Sequence, residues 1–319
     1  MTKRILVTGK NGQLGQSLQK LVEDSSLSLG ITAGMVFTFV GRDELGLTCS
    51  DSISAFFSNQ RFDAMINCAA YTAVDKAESE PELADQINHI AVAQLAEIAK
   101  VQAIPLIHIS TDYVFDGQSY KPYTEADLTD PQNVYGLTKL KGEQAILASG
   151  CKGAIIRTSW VYSEFGSNFV KTMLRLGKER DSLSVIFDQI GSPTYATDLA
   201  QAVLVILNSA FSKLNEQQMQ VPEIQNSPRR KYPWGAKLKI YHFSNEGVCS
   251  WYDFAKAIFE LSDVSCHVLP IETKDYPTPA KRPHYSVMNK AKIKQLPGLV
   301  VPYWRDSLQT CLKELEAKE

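Results

Sequence analysis

Short β-rich apolar runs alternate with amphipathic stretches through the first half of the chain. Arg4–Thr8, Met35–Gly41, Asp63–Asn67, Pro105–Ser110 and Gly153–Thr158 predict strands. Between them, Gln13–Glu23, Ser52–Asn59, Ala84–Gln102 and Val134–Ala148 predict helices. In Ala84–Gln102 the apolar positions Ile87, Ile90, Ala91, Leu95 and Ile98 recur at helical spacing and define a buried face. Strand–helix alternation of this kind argues for an α/β fold, a Rossmann-like doubly wound parallel sheet.

The second half is less regular. Thr197–Phe211 reads as a helix, Ile240–Phe243 as a strand, and Ser250–Leu261 as a helix capped by Ser250. Between the first two, residues 212–239 turn polar and carry the basic run Arg229-Arg230-Lys231. This segment reads as a long surface excursion. Its functional alternative is a lid or partner-binding loop using Tyr232 and Trp234.

Composition narrows the class. A length of 319 residues suits about two domains. A net charge of −2 gives no global electrostatic case for nucleic acid or an anionic membrane as partner. The 6 cysteines form no CxxC pair and read as reduced thiols of a cytosolic protein. Lys3-Arg4 precede Ile5-Leu6-Val7, but Gly9 ends that run far short of a signal peptide, and no stretch suffices to span a bilayer. A soluble, cytoplasmic protein is expected.

Two motifs carry chemistry. Gly9, Gly12 and Gly15 follow the first predicted strand and open a helix, with Gln13 and Leu14 among them. Glycines allow a tight turn and close approach to a pyrophosphate, and the helix start offers free N–H groups. The second predicted strand ends near Arg42, which can pair with a 2′-phosphate and leans toward NADPH; Asp43 follows and leaves NADH open. Further on, Tyr135 and Lys139 form a YxxxK motif on one helix face. An ammonium beside the tyrosine is expected to lower its pKa and suit it to proton transfer. One strand–loop–helix step earlier, Ile109-Ser110-Thr111-Asp112 end a predicted parallel strand, where such sheets take ligands. Thr111 can donate to a carbonyl oxygen, and Asp112 can accept from sugar hydroxyls.

With these motifs in register, the chain resembles the extended short-chain dehydrogenase/reductases. Within them it is similar to the dTDP-4-dehydrorhamnose reductase family. The resemblance rests on Gly9–Gly15, Asn67–Glu78, Ser110–Gly117, Asn133–Lys139, Arg157–Tyr162 and Asp188–Thr194, and extends through Tyr241-His242-Phe243, Ser250-Trp251 and Arg282-Pro283. It implies reduction of the C4 ketone of dTDP-4-dehydro-L-rhamnose by hydride from NADPH or NADH. Gly12, Gln13 and Leu14 would hold the pyrophosphate, and Ala69, Ala70, Tyr71, Thr72 and Ile109 would line the cofactor. Tyr135 would give the proton and Lys139 would orient the nicotinamide ribose. Thr111 and Asp112 would hold the sugar, Val74 and Trp160 would pack against it, and Arg282 would reach a substrate phosphate. Residues 1–160 would then form the NAD(P)-binding domain carrying the catalytic residues. Residues 161–319 would form mainly a smaller C-terminal α/β substrate lobe, with some segments returning to the first domain.

Three departures from the family pattern matter. Leu45-Gly46-Leu47 stands where many members have an acidic residue. Ser17 and Thr197 stand where some members carry the acidic ligands of a dimer-bridging magnesium, leaving Glu314 alone; no metal is expected, and a monomer or weak homodimer is. The 212–239 excursion exceeds the family's usual connection. Two rival readings remain. One is another sugar-nucleotide reductase or epimerase of the superfamily, although Tyr113 after Asp112 lacks the Asp-Glu pair of dehydratases. The other is a non-catalytic NADP-binding module resembling the regulatory subunit of methionine adenosyltransferase, against which the intact Thr111, Tyr135 and Lys139 speak.

Overall fold

The computed structural model describes residues 2–24, 30–218 and 238–318. Strands β1 (Lys3–Thr8), β2 (Met35–Val40), β3 (Ala64–Asn67), β4 (Leu106–Thr111) and β5 (Gly153–Thr158) join the strand Lys239–His242 in a six-stranded sheet. All pairings are parallel, in the order β2–β1–β3–β4–β5 and then Lys239–His242. Side chains alternate across it, as the strand period dictates. Ile5, Val7, Ile66 and Ile107 face α1 (Gln13–Glu23) and the helix Ala196–Gln218. Leu6, Met65, Leu106 and Ile155 face the other way, toward the helices Ser50–Ser58, Ala91–Val101 and Val134–Ser149. Each such fully buried aliphatic side chain contributes roughly 1.5–3 kcal/mol. The sheet is therefore covered on both faces, the condition for an all-parallel array.

From β1 the chain moves outward to β2 and then back past β1 to β3. The connections therefore diverge between β1 and β3, and a crevice opens at their carboxyl ends. The expected helix Ala84–Gln102 resolves into three pieces: Pro81–Asp85, a π turn Gln86–Ile90, and Ala91–Val101. The inserted residue of the π turn has no signature in a 3.6-residue period. Ser250 caps its helix as expected: its hydroxyl accepts from Asp253 N at 3.0 Å, and the Asp253 carboxylate accepts from Ser250 N at 2.9 Å.

The helix expected at Thr197–Phe211 runs on to Gln218, so the first residues of the supposed excursion are helical. Its last residue, Lys239, belongs to the sheet. Residues 219–237, with Tyr232 and Trp234, lie outside the described residues. A further core gathers Val170, Leu183, Val185, Phe254, Trp304 and Leu308. It is built from the helices Phe169–Glu179, Trp251–Leu261 and Trp304–Glu316 and the parallel strand pair Ser182–Ile186 and His267–Ile271. Among the described residues no helix is long and apolar enough to cross a membrane.

Candidate active site

The glycine loop fits closely against its surroundings. Gly9 has φ +75°, and a Cβ on it would stand 2.7 Å from Ala69 N; one on Gly15 would stand 2.2 Å from the Gly9 oxygen. Bare backbone is what lets the β1–α1 loop lie against the loop after β3. Gly12 is the N-cap of α1 and no side chain caps the helix. Its first N–H groups are thus available to an anion. The Gln13 side chain is engaged elsewhere, donating to Val161 O at 3.2 Å and accepting from Ser163 Oγ at 2.9 Å. Leu14 is buried in the core. Both residues therefore reach the crevice through their backbone, and the loop fits a pyrophosphate.

Arg42 is exposed just beyond β2. Beside it stands a pair that the sequence reading missed. The Lys10 ammonium pairs with Glu44, whose carboxylate also accepts from Gly41 N at 2.8 Å. Leu45 and Leu47 are core residues, 2% and 8% exposed. Glu44 stands one residue before the Leu45–Leu47 stretch and adds a second acidic group beside Asp43.

Ala69, Ala70, Tyr71 and Thr72 leave β3 along the crevice. The Tyr71 backbone is held by Asn88, on the π turn, a residue to which the sequence alone assigns no role. Its side chain accepts from Tyr71 N at 2.9 Å and donates to Tyr71 O at 3.1 Å and to Thr138 Oγ1 at 3.2 Å. A buried asparagine amid the apolar face of Ala84–Gln102 was the available signal. Gly142 lets the catalytic helix approach this turn, since a Cβ there would lie 2.2 Å from Asn88 O.

The helix Val134–Ser149 starts at Asn133, whose side chain accepts from Gly136 N at 2.8 Å. It carries Tyr135 and Lys139 to the end of β4. Tyr135 is half-buried and packs edge-to-face on Tyr113, ring centres 5.6 Å apart. Thr111 and Asp112 are buried beside it; Thr111 Oγ1 donates to Asp112 Oδ1 at 2.9 Å. Asp112 Oδ2 is buried with no hydrogen-bond partner among the described residues. Burial pushes the Asp112 carboxyl up to about 6, against the Thr111 and Ser286 hydroxyls. Burial likewise raises Tyr135 to about 12, with the Thr111 hydroxyl opposing and Asp112 reinforcing.

This corrects the expectation that Lys139 depresses Tyr135. The Lys139 amine is directed beneath the site, donating to Ile109 O at 2.6 Å and standing 3.4 Å from His108 Nε2. Burial lowers Lys139 to about 8, while Glu143 and Cys68 favour its charge. Tyr135 is thus a protonated phenol at neutral pH, the form a proton donor needs. Glu143 is itself buried, accepting from Ser110 Oγ at 2.5 Å and from Arg157 Nη2 at 2.7 Å.

Around this centre, Val74 begins the short helix Val74–Ala77. The next residue, Asp75, takes both Nη atoms of Arg282, at 3.0 and 2.7 Å. Arg282 is thus committed to an ion pair that ties the C-terminal segment to the helix Val74–Ala77. Trp160 has φ +48° and stacks on Trp251, ring centres 3.6 Å apart. Magnesium does not fit at Glu314. The Lys20 ammonium already bridges Glu164 at 3.0 Å and Glu314 at 2.6 Å. Among the described residues, no three His, Cys, Asp or Glu side chains converge on a point.

A parallel sheet with a bare glycine loop over a helix start, and a tyrosine–lysine helix laid against the end of β4, defines a dinucleotide-dependent oxidoreductase of the extended short-chain type. The family model described as RmlD substrate binding domain matches residues 3–317. The dTDP-4-dehydrorhamnose reductase of Aggregatibacter actinomycetemcomitans is 40% identical over 313 residues, covering 96% of this chain and 97% of the relative. The solved dTDP-4-dehydrorhamnose reductase of Clostridium acetobutylicum superposes with a TM-score of 0.83 at 37% identity, covering 98% of this chain and 99% of that one. The Bacillus anthracis enzyme, solved in complex with NADP, gives 0.83 at 35% identity, covering 98% and 100%. The chain belongs to the RmlD family of dTDP-4-dehydrorhamnose reductases.

Proposed function

We propose that this chain reduces the C4 ketone of dTDP-4-dehydro-L-rhamnose to give dTDP-L-rhamnose, with residues 1–160 supplying the cofactor groove and catalytic residues and 161–319 most of the sugar-nucleotide contacts. The observation that carries this reading is the meeting of Tyr135 with the Thr111–Asp112 pair at the end of β4. The chemistry supplied by NADPH or NADH, when bound, is hydride donation to C4. The backbone of Gly12, Gln13 and Leu14 holds the pyrophosphate, and Ala69–Thr72, steadied by Asn88, line the groove with Ile109. Arg42 meets a 2′-phosphate, while Lys10 beside it is held by Glu44.

Charge develops on the C4 oxygen as the ketone is reduced. Tyr135 gives that oxygen its proton, and the Thr111 hydroxyl donates a second hydrogen bond to it. Asp112 accepts from a sugar hydroxyl through its unpartnered Oδ2. Lys139 bonds the nicotinamide ribose and, while charged, stabilises the phenolate left on Tyr135. Val74 and Trp160 pack against the deoxysugar. Arg282, neutralised by Asp75, closes the rim rather than offering a free charge to the diphosphate. We read the chain as a cytoplasmic enzyme working as a monomer or weak homodimer.

The test is NAD(P)H oxidation with dTDP-4-dehydro-L-rhamnose, followed by NMR of the product sugar. Tyr135→Phe keeps the ring packing on Tyr113 and should lose roughly 10²–10⁴-fold in kcat with cofactor affinity near wild type. Retention of more than about a tenth of the rate would remove Tyr135 from its role.

A further inference from the structure

Thr8, Asn67 and His108 stand in register on three neighbouring parallel strands: Thr8 opposite Asn67, and Asn67 opposite His108. All three point to the face that carries the catalytic helix, because Val7, Ile66 and Ile107 face the opposite core. They are 2%, 1% and 0% exposed, and Lys139 is 1% exposed. A continuous chain of polar contacts joins them. Ala69 N donates to Thr8 Oγ1 at 3.3 Å, and the Thr8 hydroxyl donates to Asn67 Oδ1 at 2.6 Å. Asn67 Nδ2 stands 3.0 Å from His108 Nδ1, and His108 Nε2 stands 3.4 Å from Lys139 Nζ.

At the Ala69 end the backbone N–H can only donate, so the Thr8 hydroxyl accepts there and directs its own proton to Asn67 Oδ1. The carboxamide thus turns its oxygen to Thr8 and its NH2 to His108. His108 Nδ1 is an acceptor, so the neutral ring carries its proton on Nε2, facing Lys139. A neutral amine can accept that proton with its lone pair while donating to Ile109 O. An ammonium has no lone pair to offer. We infer that His108 is a positioning residue for the reductase, its Nε2–H orienting the Lys139 amine and biasing it toward the neutral form, with Thr8 and Asn67 setting this polarity from the cofactor loop. The inference rests on the reading of Lys139 as the group that supports Tyr135.

Other groups around Lys139 pull the opposite way. Cys68, beyond β3, and Glu143, one turn further along the same helix, favour its charge, and Glu143 is answered by Arg157 on β5. Tyr135 stands one turn earlier. Burial keeps His108 well below its ordinary pKa, so the ring stays neutral in the working range. Lys139 is therefore a titrating group near working pH. Its charge falls as pH rises through about 8, and kcat is expected to fall with it.

Nitrogen-15 NMR of histidine-labelled full-length protein, with His108 assigned by a His108→Gln spectrum, reads the tautomer directly. A protonated Nε2 is expected, and a protonated Nδ1 overturns the inference. Asn67→Asp supplies the kinetic arm. A carboxylate only accepts, so Nδ1 must donate, Nε2 becomes an acceptor, and the Lys139 ammonium gains a partner. The alkaline limb of the kcat–pH profile should move up by about one unit or more. In a His108→Leu background the same substitution should move it much less, as a double-mutant cycle requires of a coupled path. An equal shift in both backgrounds means the carboxylate acts through space and overturns the inference. Should His108→Leu not fold, the wild-type tautomer still decides. Lys139→Met separates the two layers. If it retains wild-type kcat, the parent reading of Lys139 fails. If it loses turnover while Asn67→Asp leaves the limb in place, the His108 inference alone fails.

Discussion

Gly142 marks the point where the catalytic helix crosses the π turn, and Gly142→Ala should separate catalysis from stability. The added Cβ would sit 2.2 Å from Asn88 O and 3.5 Å from Val92 Cγ1. A carbon–oxygen contact relaxes only at roughly 3.3 Å, so about 1 Å must open between helix and turn. The oxygen is backbone, and Asn88 is bonded on one side to the Tyr71 loop and on the other to Thr138. Overpacking of this kind costs about 1–3 kcal/mol, while alanine gains about 1 kcal/mol over glycine inside a helix. The net loss of stability is then only about 0–2 kcal/mol. Turnover should respond far more strongly. Tyr135 and Lys139 ride on the displaced helix, and a 1 Å misplacement can cost about 10²-fold in rate. Gly150→Ala is the control on the same helix. Its φ of +71° brings strain of about 1–2 kcal/mol, but nothing lies within 4 Å of its Cβ, so kcat should hold. Steady-state NAD(P)H oxidation and denaturant melts of both variants make the comparison. A Gly142→Ala enzyme within about threefold of wild-type kcat would refute the claim that this approach positions the chemistry.

Asp112 should produce an acid limb: with its carboxyl raised to about 6, kcat/KM should fall as pH drops below that value, and Asp112→Asn should abolish the limb along with most activity. The stability sign is opposite. A carboxyl whose folded pKa lies above its unfolded 3.8 leaves the native state holding more protons, so stability falls as pH rises from 3.8 to about 6. Melts of Asp112→Asn above pH 6 should therefore equal or exceed wild type, and a clear destabilisation there would count against the raised pKa. At the adenosine corner, Arg42→Ala should raise KM for NADPH about tenfold and leave KM for NADH near wild type. Equal changes for both cofactors would place Arg42 outside the 2′-phosphate site.

The strands, the glycine loop and the Tyr135–Lys139 helix were legible because each depends on local sequence. Apolar runs specify β1 to β5, and the spacing of Gly9, Gly12 and Gly15 needs no distant partner. What stayed hidden depends on contacts across the sheet. Asn88 becomes meaningful only when an extra residue per turn rotates it toward Tyr71, and periodicity averages that rotation away. His108 sits inside an apolar strand and gains its role from lying opposite Asn67, which sequence cannot align without the strand order. Tyr135 was expected to sit low because Lys139 shares its helix face. Burial and the attraction of Lys139 to Ile109 O reverse that. Arg282 pairs with Asp75 across distant parts of the chain, a contact that sequence spacing cannot align.

The order of strands also sets an order of events during synthesis. β5 is complete at Thr158, yet its outer edge pairs only with Lys239–His242, which the ribosome delivers long afterwards. The helix Ala196–Gln218, which covers one face of the sheet beside α1, arrives late as well. Until then the nascent N-terminal half exposes both an apolar face and an unpaired edge, the combination that recruits other strands. A fragment ending at residue 160 would carry the entire catalytic motif and still lack the pieces that close its own sheet. The sheet that carries the reductase site is closed only once the second half of the polypeptide has been made.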